Sequence, residues 1–314
     1  MRALIVTNLY PSASSPGRGS FVRDQVEALR CLSGVEVEVF AFEPGGGSPY
    51  PRAARALRRR YRTREFDVVH AHFGLSAWPA LVVRGAPHVV TLHGTDVVNS
   101  RSRVVTLAAL PFVDLVAPVS ASLGELLPHR LVDGKLAVLP CGVAMDRFVP
   151  IPRAQARARL GLSADRRYLL FAADPRRAEK RFDRAQAIVA AVPGEPELLV
   201  LRGVSPGEVP LWVNAADAVL VTSERESFGL AVLEALACDV PVLATDVGVA
   251  REALADVPGT FCGEFSVPEW RAVLESVLAD PDPRVPGRAV AWRWSAERMA
   301  ERVLEAWRAL GASG

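Results

Sequence analysis

The sequence predicts an α/β protein made of two Rossmann-like parallel-sheet domains. Three observations carry this. Short valine-rich runs alternate with amphipathic stretches, the pattern of parallel sheets covered by helices. The alternation restarts after about residue 143. A chain of 314 residues is also long for one core and comfortable for two.

In order, "RALIVTN", "VEVEVFAF", "DVVHA", "HVVTL" and "DLVAPV" read as strands. "SFVRDQVEALRCL" and "SAWPALVVRG" read as helices between them. The second series is "RYLLFAA", "ELLVLRG", "DAVLVTS", "PVLATD" and "GTFC". The boundary falls near "CGVAMDRFVPIP", which divides the chain into domains 1–143 and 144–294. "SAERMAERVLEAWRALG" closes the chain as a helix over 295–314 that packs back on the first domain. Ser295 is its expected N-cap and Gly311 its expected stop.

Composition narrows the class. Net charge is +2, so no global field points to nucleic acid or a bulk acidic partner. The four cysteines lack CxxC or CxxH spacing, which fits a reducing cytosol and neither a zinc site nor a disulfide scaffold. "MRALIVTNLY" opens as a strand with no cleavage pattern, and Val104 to Leu127 is broken by Asp114, Pro111 and Pro118. Of 37 basic residues only Lys135 and Lys180 are lysine, which draws attention to places where a compact ammonium is wanted.

In open parallel sheets, ligands bind at the carboxyl ends of strands. After "DAVLVTS" comes the loop "ERE", then "SFGLAVLEALAC" as an apolar helix with Ser227 as N-cap candidate. The N–H groups of Gly229, Leu230 and Ala231 then form an anion seat suited to phosphate. Glu234 projects from the same face one turn deeper. A carboxylate there is costly unless hydrogen-bonded. Either the paired hydroxyls of a ribose or an internal arginine satisfies it. Glu226 faces sideways, toward whatever the phosphate carries, or is a solvated loop acid.

Glu226 and Glu234, with seven residues between them including Phe228-Gly229 and followed by "EALACDVPVLATDVG", resemble the E-x7-E signature of retaining, nucleotide-sugar-dependent glycosyltransferases of the GT-B fold, the GT4-type family. "DPRRAEKRFD" resembles that family's phosphate loop, with Lys180 and either Arg176 or Arg177 on the donor diphosphate. "LHGTD" resembles its His-Gly-(Ser/Thr)-Asp segment and places His93 at the cleft that the two domains face. "SPGRGSFVRDQVEAL" resembles the glycine-bearing first loop and places Gly19 beside donor and acceptor. "VSASLGELL" and "KLAVLPCGVAMDRF" resemble the crossing between domains. Cys141 stands where asparagine is common, Ala144 where an acid is common, and no glycine follows Glu226. The stretch from Lys180 to Asp217 is short, which makes the second domain compact. Base contacts come from this region in the family, here assigned to Gly203 and Val204.

The resemblance implies transfer of a sugar from a UDP- or GDP-sugar to a hydroxyl acceptor (polysaccharide, lipid-linked glycan or small metabolite), with retention and without a metal. Lys180, Arg176, Glu226 and His93 carry the chemistry. Gly19, Arg177, Gly203, Val204, Ser227, Phe228, Gly229, Leu230, Ala231 and Glu234 hold the donor. Two other classes stay open: a nucleotide-sugar 2-epimerase or sugar phosphorylase on the same fold, and a non-catalytic sugar-nucleotide-binding relative. His70 and His72 alternate on a strand end, and as a pair they are too few for a metal site. Asp280-Pro281-Asp282 spells a chelating motif of another fold but lies in a proline-rich link. Seven arginines from Arg52 to Arg64 make either a solvated helix or a docking face for anionic lipid. Sparse aromatics there argue against nucleic acid. The expected location is cytoplasmic, including the inner face of the membrane.

Overall fold

The computed structural model describes residues 1–43, 49–62 and 65–312. The chain divides into two compact units, 1–142 with 296–314, and 143–295. Each holds a five-stranded, fully parallel sheet.

In the first unit the strands are β1 (Arg2–Thr7), β2 (Glu36–Ala41), β3 (Val68–His72), β4 (His88–Leu92) and β5 (Leu115–Pro118), in spatial order β2-β1-β3-β4-β5. In the second they are β6 (Tyr168–Phe171), β7 (Glu197–Val200), β8 (Ala218–Val221), β9 (Val242–Thr245) and β10 (Phe261–Gly263), in order β10-β9-β8-β6-β7. Counted within each unit, both orders are 2-1-3-4-5. This is the flavodoxin-type doubly wound order, whose ligand site lies outside the carboxyl ends of the first and third strands. Central strands are covered on both faces, so they read as unbroken apolar runs, "LIV" in β1 and "YLLF" in β6.

The Ser20–Arg30 helix follows β1 and buries Val22, Val26 and Leu29 at the 3–4 spacing of one helix face. Gly19 precedes it with φ 61, and a Cβ there would sit 2.3 Å from the Leu9 carbonyl carbon and oxygen. The last helix, Ala296–Ala312, supplies Met299, Ala300, Val303, Leu304 and Trp307 to the same core. It runs past Gly311, the expected stop. A glycine costs a helix about 1 kcal/mol and does not by itself end one. "SAWPALVVRG" is not the long helix its pattern suggests. A 3-10 turn at Gly74–Ser76 ends on its first residue, one helical turn follows at Ala77–Ala80, and Gly85 at φ 87 leads into β4.

The second unit's core joins Leu169, Phe171, Ile188, Leu220, Leu243, Trp270 and Leu274. Its entry and exit lie side by side: Val143 bridges Ser295 in parallel, and the Val143 N–H donates to the Trp294 carbonyl at 2.9 Å. Among the described residues no helix is long and apolar enough to cross a membrane.

Candidate functional site

Two clusters sit where the strand orders place ligand sites, one in each unit. In the second unit, the loops after β6 and β8 are tied together. Thr222 Oγ1 donates to the Lys180 and Arg181 carbonyls, both at 3.0 Å, and the Glu224 N–H donates to the Glu179 carbonyl at 2.8 Å. This brings Lys180 Nζ to 2.5 Å from Glu226 Oε1, with the two side chains only 12% and 13% exposed. Ser223 Oγ donates to the same oxygen at 2.7 Å. Lys180 and Glu226, 46 residues apart in sequence, are therefore one ion pair.

The helix beside them spans Leu230–Ala237, not the expected 227–238. Gly229, with φ 94, is its N-cap, so Ser227 lies two residues before the cap and does not serve as one. Only glycine takes that left-handed φ without strain. Phe228 is buried below the turn, and its carbonyl accepts from the Val249 N–H at 2.7 Å. A Cβ on Gly248 would come within 2.3 Å of that oxygen, so the turn after β9 must carry a glycine to press against the Phe228 turn. The N–H groups of Leu230 and Ala231 lie in the first turn, where no intrahelical carbonyl precedes them.

Glu234 is half-buried rather than enclosed. The helix packs Val232, Leu233, Ala235, Leu236 and Ala237 and leaves Leu230, Ala231 and Glu234 partly open on one face. The carboxylate and the helix start thus share one open stripe. Burial, with Glu234 adding to it, pushes the neighbouring Cys238 thiol up to about 12.

Arg176 and Arg177 sit on the same loop with different partners. Arg176 grips Asp174 through Nη2 at 2.6 Å and holds that carboxyl at about 2, well below its usual range. The Arg202 charge also reaches Asp174, so the loop of Gly203 (φ 71) and Val204 adjoins the Arg176 side. Arg177 pairs with Glu179 at 2.8 Å, and Glu179 also feels Lys180. Both guanidiniums are well exposed, at 71% and 59%. Asp282 is a partner of buried Arg153 at 2.6 Å.

In the first unit, His70 and His72 lie on one face of β3, two residues apart, and His93 follows β4. Their rings stack, with centroids 4.6 Å apart for His70–His72 and 5.3 Å for His72–His93. His72 Nδ1 is 3.1 Å from His93 Nε2. The Phe21 ring lies 4.8 Å from His93. Burial lowers His70 and His93 to about 3 and His72 well below its ordinary value. These rings are neutral at pH 7. Sequence reasoning missed what holds His93. Asp96, fully buried, accepts from the N–H groups of Gly74 (2.9 Å), His93 (3.1 Å) and Gly94 (2.8 Å). A carboxylate three residues after the histidine was the available signal. Burial raises its pKa against those three donors.

The basic segment forms the Pro49–Arg60 helix and the turn after it, while Arg64 lies outside the described residues. Arg55, Arg58, Arg59 and Arg62 line a groove of about 1330 Å³ together with Arg84. It shares no lining residue with the histidine stack. Arg60 pairs with Glu38 at 2.9 Å.

Comparison with known proteins gives a consistent family. Residues 158–289 match the model described as "Glycosyl transferases group 1", and residues 16–147 the model "Glycosyltransferase Family 4". A D-inositol 3-phosphate glycosyltransferase of Thermobispora bispora is 32% identical over 78% of this chain and 72% of its own length. A putative teichuronic acid biosynthesis glycosyltransferase of Bacillus subtilis is 28% identical over 79% of this chain and 82% of its own. Among solved structures, sucrose-phosphate synthase from Thermosynechococcus elongatus superposes with TM-score 0.81 at 20% identity, covering 100% of this chain and 99% of that one. Anabaena HepE in complex with UDP and glucose gives TM-score 0.73 at 16% identity, covering 98% and 99%.

Proposed function

The chain belongs to the group 1, GT4-type glycosyltransferases and has their GT-B fold, and on that premise we propose that it moves a sugar from a UDP- or GDP-sugar to a hydroxyl acceptor, with retention and without a metal. The observation that carries this is the Lys180–Glu226 pair. It joins the carboxyl-end loops of the second unit's first and third strands, beside an open helix start.

An ammonium has three N–H donors, and Glu226 takes one. The others, with the first-turn N–H groups and Arg176 or Arg177, hold the donor diphosphate and stabilise charge building on the leaving phosphate. Glu234, on the same open stripe, accepts the ribose hydroxyls. Glu226 contacts the hydroxyls of the donor sugar or steadies positive charge at its anomeric carbon. Its carboxylate already accepts from Lys180 and Ser223, which suits an electrostatic role better than covalent attack. The donor phosphate then helps deprotonate the acceptor on the same face. His93 positions sugar and acceptor, with Gly19 beside them, and Gly203 and Val204 meet the base. The relatives' names, D-inositol 3-phosphate and teichuronic acid, support a polyol or growing-glycan hydroxyl as acceptor.

Calorimetry against UDP-, GDP- and ADP-sugars with EDTA present tests this. At least one UDP- or GDP-linked donor binds, and Lys180→Ala weakens it by about tenfold or more. Binding of none of them, or full affinity in Lys180→Ala, sinks the reading.

The arginine-lined groove supports contact with an anionic membrane surface, consistent with a cytoplasmic enzyme acting near a lipid-borne acceptor. Co-sedimentation with phosphatidylglycerol vesicles, reversed by high salt and absent with phosphatidylcholine, is expected. Equal binding to both lipids would refute it.

A further inference from the structure

The histidine stack is wired from both ends. Trp307 Nε1 is 3.2 Å from His70 Nδ1, and an indole N–H only donates. His70 Nδ1 therefore accepts, and its proton is on Nε2, which donates to Thr91 Oγ1 at 2.7 Å. That tautomer is fixed.

His72 is different. Its Nδ1 meets His93 Nε2 at 3.1 Å, and its Nε2 lies 3.4 Å from Gln25 Nε2. Each neutral ring has one proton. With the Gln25 amide nitrogen facing His72, His72 Nε2 accepts and Nδ1–H donates to His93. His93 Nε2 then accepts, and the His93 proton must sit on Nδ1. With the carboxamide reversed, every step reverses, and His93 Nδ1 becomes a bare lone pair. His70 and His72 are fully buried and His93 half-buried. Since His93 Nε2 is occupied by His72, Nδ1 is the nitrogen left for a ligand.

We propose that Gln25 is a positioning residue that acts through His72 to place the His93 proton on Nδ1, making His93 a neutral hydrogen-bond donor toward a substrate oxygen. The oxygen is a hydroxyl or phosphoryl oxygen of the sugar donor or acceptor, so this consequence rests on the function proposed above. The proton placement does not. His93 is then a donor that orients substrate, and the base that receives the acceptor proton must be another group.

Two-bond ¹H–¹⁵N spectra of the full chain labelled with ¹⁵N-histidine read each tautomer directly. The wild type shows His72 and His93 protonated on Nδ1 and His70 on Nε2. Gln25→Glu removes the amide donor, accepts from His72, and moves both His72 and His93 to Nε2–H. Gln25→Leu leaves them mixed. His70 stays on Nε2 in both variants, because Trp307 fixes it, and so reports that the fold is intact. Wild-type His93 protonated on Nε2 overturns the proposal, as does an unchanged His93 tautomer in both variants. With an active donor in hand, Gln25→Glu lowers kcat by about tenfold, the equivalent of one hydrogen bond, with less change in KM. If no nucleotide-sugar is turned over, the function reading fails while the tautomer result still decides the wiring.

Discussion

Buried imidazoles make the first unit sensitive to mild acid. His70 and His93 have pKa values near 3 when folded, against about 6.5 for a free side chain, because burial penalises the charged ring. The unfolded chain therefore binds protons more readily between those values. Stability is fully present above pH 6.5 and is lost as pH falls toward 3. Each such ring contributes a slope of about 1.4 kcal/mol per pH unit in that window. Calorimetric melting should show a decline that starts near pH 6.5, above the carboxylate range, and a flat profile from pH 7 to 5 would exclude it. At this scale the sequence was readable where chemistry is local. Glu234 stood out as a lone acid in an apolar helix, Glu226 as the acid just before that helix, and Lys180 as one of only two lysines. Their pairing was not readable, because Lys180 and Glu226 meet only through two loops 46 residues apart. The His70–Trp307 contact spans 237 residues and left no local trace.

Among elements, strands were the easiest to read and helix ends the hardest. Each of the ten strands among the described residues overlaps a run read as a strand, most plainly the central ones, which are apolar on both faces. The Leu230–Ala237 helix starts late because Gly229 takes a backbone angle that no residue pattern announces. One element depends on a buried charge. Asp217, at the start of β8 and fully buried, accepts from Arg153 at 2.6 Å, Arg157 at 2.8 Å and Arg167 at 3.1 Å, and from the Tyr168 N–H at 2.7 Å. Arg153 and Arg157 are themselves buried. Asp217→Asn leaves Arg157 without its carboxylate and Arg153 with only the exposed Asp282, which costs roughly 3–5 kcal/mol. Urea unfolding of the variant checks this, and a loss below about 1 kcal/mol, the scale of an exposed ion pair, would show the network to be solvated.

At the scale of the molecule, the doubly wound plan occurs twice, and the second copy is inserted into the first. The chain enters the second unit at Val143 and leaves at Ser295, two residues that touch. A fragment of residues 143–295 should fold by itself with a single cooperative transition, since its ends need no partner to hold them. Residues 1–142 alone should not, because Met299, Val303 and Trp307 fill their core. Circular dichroism melts of the two fragments test this, and a cooperative melt of 1–142 would refute it. The Val143–Ser295 contact also sets an order of assembly during synthesis. The inserted half is complete when Ser295 leaves the ribosome, while the half made first still lacks its closing helix. The amino-terminal half is thus the last to finish, and its open face needs shielding for as long as the whole insert takes to be translated.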